Sequence, residues 1–275
     1  MAFPAFSSRA TLRKGAALAV LLAAPWTTPA LSQEGDYTPP RAGSYEEVLD
    51  LPDWTGTWHQ DWSRLFGVVV EPVVLTPEAQ AQQDEFAARY ADTGPPLDAE
   101  ARCLPPGVPA IMSVGGMPIE ILYSPGRVTI LTEAYGQARR IFTDGRALPD
   151  DPEPFFNGNS VGHWEGDTLV VETVGLHPMN SIARGIYVPH SEEMRVTERI
   201  YSPAENELAV EITVTDPQVL AQPHVMHLFF NRQNEFPIRE YVCAENNRLI
   251  SDENGANVDL GLDDEGDPFG PPVQD

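Results

Sequence analysis

The chain has 275 residues, of which 42% are apolar, so it is long enough for one large domain or for two small ones. Its 41 acidic residues outnumber its 17 basic residues, which gives a formal charge of −24 at pH 7. Such a surface repels phosphate backbones and anionic lipid headgroups, and this argues against nucleic acid and membrane surfaces as partners.

The first 32 residues are typical of a secretory signal peptide. Three basic residues up to Lys14 precede an apolar run over residues 15–26, and small residues at Ala30 and Ser32 suit a cleavage site. A membrane anchor is the alternative, but the run of about a dozen residues is shorter than the ~20 that span a bilayer. We therefore expect a periplasmic or secreted protein with no membrane insertion in its mature form. Without these 32 residues its formal charge is −27.

The remaining chain divides into three parts by composition. Polar residues 33–50 predict a flexible lead-in, residues 51–250 a single β-barrel domain, and residues 251–275 an acidic disordered tail. One helix is expected near the start of the domain, at about 77–91. Thr76 is a favourable N-cap and Pro77 suits the first turn of that helix.

Short β-branched and apolar runs follow one another after residue 117 and predict antiparallel strands. The hairpin over 158–175 is the clearest, because Glu165-Gly166-Asp167 supplies a turn in which Gly can take a positive φ. Many short strands without crossover helices favour one closed, lipocalin-like (calycin-type) β-barrel in an antiparallel meander. The predicted strands are 118–124, 127–133, 138–143, 159–164, 168–174, 193–201, 206–215, 224–231 and 236–243.

Cys103 and Cys243 are the two cysteines of the chain. In an oxidising compartment an even pair usually forms a disulfide, and we predict one here. A reactive thiol is the alternative, and it would need an activating base nearby.

Several motifs are spread over about residues 100–248. They are Cys103-Leu-Pro-Pro-Gly-Val-Pro, Asp144-Gly-Arg-x-Leu-Pro-x-Asp-Pro, Ser160-Val-Gly-His-Trp-Glu-Gly-Asp-Thr-Leu-Val-Val-Glu-Thr, Pro189-His-Ser-Glu and Glu240-Tyr-Val-Cys-Ala-Glu-Asn-Asn. These motifs resemble a large family of secreted bacterial proteins, and the resemblance implies no established activity. Relatives have Gly-Phe-Asn and then a Trp-Leu-Asp segment where this chain has residues 175–184. If that loop contacts a ligand, we expect a different ligand here.

Charged residues on otherwise apolar strand faces are the first candidates for chemistry. With a period of two, Glu133, Glu172, Glu198 and Arg140 are candidates for the barrel interior. They would have to pair there, because an isolated buried charge costs several kcal/mol. The resulting polar centre could orient a ligand or shift a carboxyl pKa. Alternatively, these faces point outward, or the charges form a structural ion-pair network.

The loop 175–192 carries the second set of candidates. His177 and His190, with polar neighbours that include Glu192, are expected to overlie a mouth of the barrel, although a surface loop with incidental histidines is the alternative. His224 and His227 are three residues apart and fall on opposite faces of a strand, so they cannot chelate a metal together. We predict no metal and no cofactor.

These observations predict a barrel that takes a small apolar or aromatic molecule into its cavity. The predicted ligand contacts are Arg140, Phe142, Trp164, Asn180, Arg184 and Tyr187. One alternative is a cofactor-independent acid–base enzyme, a lyase, isomerase or hydrolase, with catalytic groups His190, His177, Glu198 and Glu172. The other is a structural envelope protein whose barrel is filled by its own side chains. The sequence does not decide between binding and catalysis, and it leaves the oligomeric state open.

Overall fold

A computed structural model of the protein describes residues 43–65, 72–96, 99, 102–243, 249–252 and 255–258. The predicted signal peptide, most of the predicted lead-in and the last part of the predicted tail lie outside the described residues. The described residues contain three α-helices: α1 (Tyr45–Leu49), α2 (Trp62–Leu65) and α3 (Pro77–Arg89). No helix among them is long and apolar enough to cross a membrane.

Nine strands form a closed barrel in which each strand pairs with the next in sequence and the last pairs with the first. The predicted mainly β, lipocalin-like barrel is therefore confirmed. The strands are β1 (Gly56–Gln60), β2 (Ile119–Ser124), β3 (Arg127–Thr132), β4 (Gln137–Phe142), β5 (Asn159–Glu165), β6 (Thr168–Val174), β7 (Arg195–Tyr201), β8 (Glu207–Thr215) and β9 (His224–Arg232).

One strand pair departs from the predicted antiparallel meander. Strands β4 and β5 are parallel, with Ile141 opposite Ser160 and Phe142 opposite Val161. Parallel neighbours need a connection that returns the chain to the end where the first strand began. Residues 143–158 provide this return, and Phe155 forms a β-bridge with Leu176. An odd number of strands cannot alternate in direction all the way around a closed barrel, so a barrel of nine strands needs a parallel pair.

Strand directions define two ends of the barrel. The β2–β3 turn, the β5–β6 turn and the start of β1 lie at one end, which we call the turn end. The long loops 175–194 and 216–223 lie at the other, which we call the loop end. The predicted β5–β6 hairpin is confirmed, with Gly166 at φ +61° in its turn.

The last predicted strand is absent, because residues 233–243 follow β9 without forming a strand. This segment carries Cys243, which forms the predicted disulfide with Cys103 at a Cα–Cα distance of 5.6 Å. Part of the predicted disordered tail contributes to a hairpin of β10 (Leu249–Asp252) and β11 (Gly255–Val258).

The predicted helix is α3, and its N-terminus forms as its sequence indicates. The Thr76 hydroxyl accepts a hydrogen bond from the Ala79 amide at 3.3 Å. Ala79 is the buried residue of α3. Gln83 fastens the helix to the long loop, since its side chain donates to Gly185 O at 3.0 Å and accepts from Tyr187 N at 2.9 Å.

Candidate functional site

A buried ion pair lies in the interior of the barrel. Arg139 Nη1 donates to Glu198 Oε1 at 2.9 Å, and Arg139 Nη2 also bonds Glu198 Oε2. The same Nη2 atom lies 3.0 Å from Thr173 Oγ1 and 3.4 Å from Ser160 Oγ. The side chains of Arg139 and Glu198 are 1% and 0% exposed. A bidentate pair with hydroxyl partners of this kind satisfies charges that water cannot reach.

The prediction of Arg140 as the interior arginine is wrong, because the structure places Arg139 there instead. Arg139 and Ile141 are buried on β4, whereas Arg140 is exposed and Phe142 is half-buried on the opposite face. Phe142 lies outside the barrel beneath Arg146, whose guanidinium carbon is 3.8 Å from the ring centroid.

Two of the three predicted interior glutamates are also outside. Glu172 is exposed on β6, because its neighbours Val171 and Thr173 occupy the inward positions. Glu133 follows β3 and accepts a hydrogen bond from Arg239 N at 2.7 Å. Glu198 alone of the three faces inward, and its pairing with Arg139 matches the structural ion-pair alternative.

The rest of the interior is filled by side chains of the protein. Trp58, Ile130, Ile141 and Leu169 are 0% exposed and Phe230 is 2% exposed. A side chain that lined a cavity large enough for water would retain accessible surface there. The barrel axis is therefore packed, and a ligand does not have room beside these residues. The prediction that the ligand enters the barrel interior is therefore wrong, and the two pockets described below open at the surface.

The two loop histidines are held by backbone groups. Both ring nitrogens of His190 lie 2.8 Å from carbonyl oxygens, one of Ser191 and the other of His177. The His177 ring stacks on Phe156 at 4.1 Å between centroids, and its Nδ1 accepts from Met179 N at 3.2 Å. Neither contacts Glu198 or Glu172, so the four predicted catalytic residues are not brought together.

Asn180 is buried at the loop end, where it ties three chain segments together. Its Nδ2 donates to Phe156 O at 2.8 Å and to Val108 O at 3.1 Å. Gly107 lies against it at φ +67°, and a Cβ at residue 107 would come within 2.3 Å of Asn180 Oδ1. This contact explains a glycine in the Cys103-Leu-Pro-Pro-Gly-Val-Pro motif. The predicted ligand contact Asn180 therefore has a structural role.

The remaining loop candidates lie on the surface. Arg184 and Glu192 are exposed. Tyr187 stacks on Phe86 of α3 with ring centroids 4.6 Å apart. These two rings line a shallow pocket of about 180 Å³ between α3 and the loop, which we call the helix pocket.

A larger pocket, of about 360 Å³, opens at the turn end of the barrel. We call it the turn-end pocket. It lies between the segment around α1, the β2–β3 turn and the ends of β4 and β5. Its lining consists of Gly43, Glu47, Val48, Leu51, Ser124, Pro125, Gly126, Arg127, Thr143, Asp144 and Trp164. Trp164 is the one predicted ligand contact that reaches it.

Aromatic packing fixes Trp164 in place. Its ring lies 5.2 Å from the buried Trp54 ring and 6.5 Å from that of Tyr123. The Tyr123 hydroxyl donates to Pro52 O at 2.8 Å. Burial raises the pKa of the Tyr123 hydroxyl, so this group stays protonated as a donor. Trp164 itself is half-buried, so one part of the indole packs on the core and another lines the pocket.

The charges at the turn-end pocket are unequally compensated. Asp144 is paired with Arg146, with a shortest contact of 2.7 Å between carboxylate and guanidinium. Arg127 Nε donates to Ser124 Oγ at 3.2 Å, and among the described residues no carboxylate lies within ion-pair distance of its guanidinium. Glu47 is exposed on the rim.

Three residues that shape these sites were not predicted from the sequence: Arg127, Arg139 and Trp54. No local signal separated Arg139 from Arg140, because each of them precedes an apolar residue of the same strand by two positions. Arg127 is the first residue of β3, directly after the tight turn at Gly126, and no local pattern in the sequence marked it. Within the described ranges no group of three or more His, Cys, Asp or Glu residues is placed to hold a metal ion.

The strand pairing defines this protein as a closed, lipocalin-like β-barrel with a packed interior. No protein-family model matches the sequence, and no curated protein matches it. The resemblance to a family of secreted bacterial proteins therefore stays an expectation. Among solved structures, a mutant of the fluorescent protein UnaG is similar, with a TM-score of 0.30 and 15% sequence identity over 68% of this chain and 98% of that chain. A likeness this weak carries no argument about function.

Proposed function

We propose that this protein is an exported barrel that binds a small apolar or aromatic molecule in the turn-end pocket. The main observation that supports this proposal is the half-buried Trp164 indole on the wall of a pocket of about 360 Å³. Small-molecule sites commonly have volumes of about 300–1,000 Å³ and combine apolar walls with a few polar groups. Val48, Leu51 and Pro125 supply further apolar wall.

Export is supported by two independent observations. The first 32 residues have the pattern of a signal peptide. The Cys103–Cys243 disulfide is of the kind that persists in oxidising compartments such as the periplasm.

The arrangement of the predicted catalytic residues gives no support to the enzyme alternative. Glu198 is inaccessible and paired with Arg139, and Glu172 lies on the outer surface. An acid–base pair needs both groups within reach of one substrate. The filled interior, in contrast, favours the structural envelope protein as the second candidate.

Calorimetric titration with 2-naphthamide, a neutral bicyclic aromatic, tests the proposal. Trp164→Leu removes the aromatic wall and keeps apolar bulk against Trp54, so we expect binding about tenfold weaker. Tyr187→Leu is the matched control, because it removes an aromatic ring from the helix pocket instead. It should leave affinity unchanged.

Three results would count against binding at the turn-end pocket. Weaker binding in Tyr187→Leu with normal binding in Trp164→Leu would move the site to the helix pocket. Absence of binding to the wild-type protein would reject the proposal. Native mass spectrometry of protein from its own host, if it consistently finds no bound small molecule, would favour the structural role.

A further inference from the structure

Among its described lining residues the turn-end pocket contains one cation, Arg127. Arg127 has a hydroxyl partner in Ser124 but no carboxylate partner among the described residues. The second ionic group deep in the pocket wall, Asp144, is only 3% exposed in its side chain and already paired with Arg146. Of the described residues that line the pocket, Arg127 therefore presents a positive charge that is available to a ligand.

The position of Arg127, rather than its lack of a carboxylate partner alone, distinguishes it from the other arginines. Acidic residues outnumber basic ones 41 to 17, so a basic group has many potential partners on the surface. Arg64, Arg89, Arg146, Arg199 and Arg232 each lie within 4 Å of a carboxylate oxygen. Arg127 has no such partner among the described residues, and neither have Arg140, Arg184, Arg195 and Arg239, but of these five arginines Arg127 alone lines the turn-end pocket.

We propose that the turn-end pocket selects a planar aromatic molecule that carries a carboxylate, with Arg127 as the residue that sets this specificity. The inference rests on the proposed function. The guanidinium has a planar fork of donors that matches the two oxygens of a carboxylate, and such charge-assisted pairs are stronger than neutral hydrogen bonds. Trp164 offers a face on which the aromatic part of the ligand stacks.

The different positions of Arg127 and Trp164 in the pocket determine which shape of ligand can contact both. Arg127 begins β3 beside the β2–β3 turn, whereas Trp164 lies near the end of β5, and both line the same opening. The ligand must therefore have an apolar body at one end and an anionic group at the other. Glu47 on the rim repels a second negative charge on the ligand. Glu47 also attracts cations, so it opposes the preference for anions that Arg127 sets.

The test compares three probes of one shape by calorimetric titration: 2-naphthoate, 2-naphthamide and 2-naphthylmethylamine. We expect 2-naphthoate to bind about tenfold more tightly than 2-naphthamide, because a hydrogen bond to a charged group is worth more than one between neutral groups. Arg127→Gln should weaken the binding of 2-naphthoate about tenfold and that of 2-naphthamide much less, so that the preference disappears. Arg127→Lys keeps the charge without the fork and should give an intermediate preference.

Arg195→Gln is the control variant. It removes the same charge from an exposed residue at the start of β7, at the loop end, and should leave the preference for 2-naphthoate intact. If Arg127→Gln and Arg195→Gln reduced the preference for 2-naphthoate equally, the net charge of the protein alone would explain the preference. This result would overturn the inference.

The remaining outcomes separate the inference from the proposed function. Equal affinity for 2-naphthoate and 2-naphthamide, with both weakened by Trp164→Leu, would overturn the selection of anions and leave the binding site standing. Tighter binding of 2-naphthylmethylamine than of 2-naphthoate would also overturn the selection of anions, because the cation would then pair with Glu47. No binding of any probe would reject both.

Discussion

Two arginines occupy contrasting places in the barrel. Arg139 at the centre is 1% exposed, bonded twice by Glu198 and close to two hydroxyl groups. Arg127 at the turn end bonds the Ser124 hydroxyl and lines an open pocket. A charge in a closed interior has to be neutralised by the protein, because its desolvation cost is large. A charge at an open end is solvated by water, so it stays available to a ligand.

Breaking the central pair should have the largest effect on stability. We expect Glu198→Gln or Arg139→Met alone to lower the free energy of unfolding by about 3–5 kcal/mol, since each leaves a buried polar partner without its counter-charge. The double variant Arg139→Met with Glu198→Leu removes both charges and should recover most of that loss. Urea denaturation measures all three. Single variants that cost under about 1 kcal/mol would show that the pair is not desolvated as the structure indicates.

Removing the disulfide should cost less than breaking the central pair. Cys103 and Cys243 are 140 residues apart and join the loop before β2 to the segment after β9. We expect Cys103→Ser with Cys243→Ser to lower the free energy of unfolding by about 2–4 kcal/mol, because the cross-link restricts the unfolded chain. The measurement is urea denaturation of the variant beside the oxidised wild-type protein. Unchanged stability would mean that the two ends of the barrel domain are held together by packing alone.

An exposed ion pair should have the smallest effect. Arg199 Nη1 donates to Glu165 Oε2 at 3.0 Å, and this hydrogen bond lowers the pKa of the Glu165 carboxyl. A lowered pKa in the folded state adds stability at neutral pH, and the addition is lost as pH falls through that pKa. We expect Glu165→Gln to shift the melting temperature barely at pH 7 and not at all in strong acid. A larger shift in acid than at neutral pH would contradict this sign.

The strands and the helix could be predicted because their signals are local. Val128, Ile130 and Thr132 alternate with outward residues on β3, and the burial pattern follows that period. Thr76 begins α3 with a side-chain cap, as its residue type predicts. The disulfide could be predicted from the presence of two cysteines in a chain whose sequence predicts export.

The interior arginine could not be assigned with the same certainty. In Arg139-Arg140-Ile141-Phe142 each face of the strand has one arginine and one apolar residue, so a period of two fits either register. Long-range pairing decides between them, because Val128 of β3 lies opposite Ile141 and both face the core. A shift of one residue reverses the face of every side chain.

The sequence by itself determined a mainly β, closed barrel with one capped helix and one disulfide, because alternation, capping and cysteine pairing are readable along the chain. Tertiary structure alone decided that β4 and β5 are parallel and that the interior is full. It also created the turn-end pocket, whose Val48, Arg127, Asp144 and Trp164 come from four separate segments. No local pattern links residues so far apart in sequence, because their proximity arises only when the barrel closes.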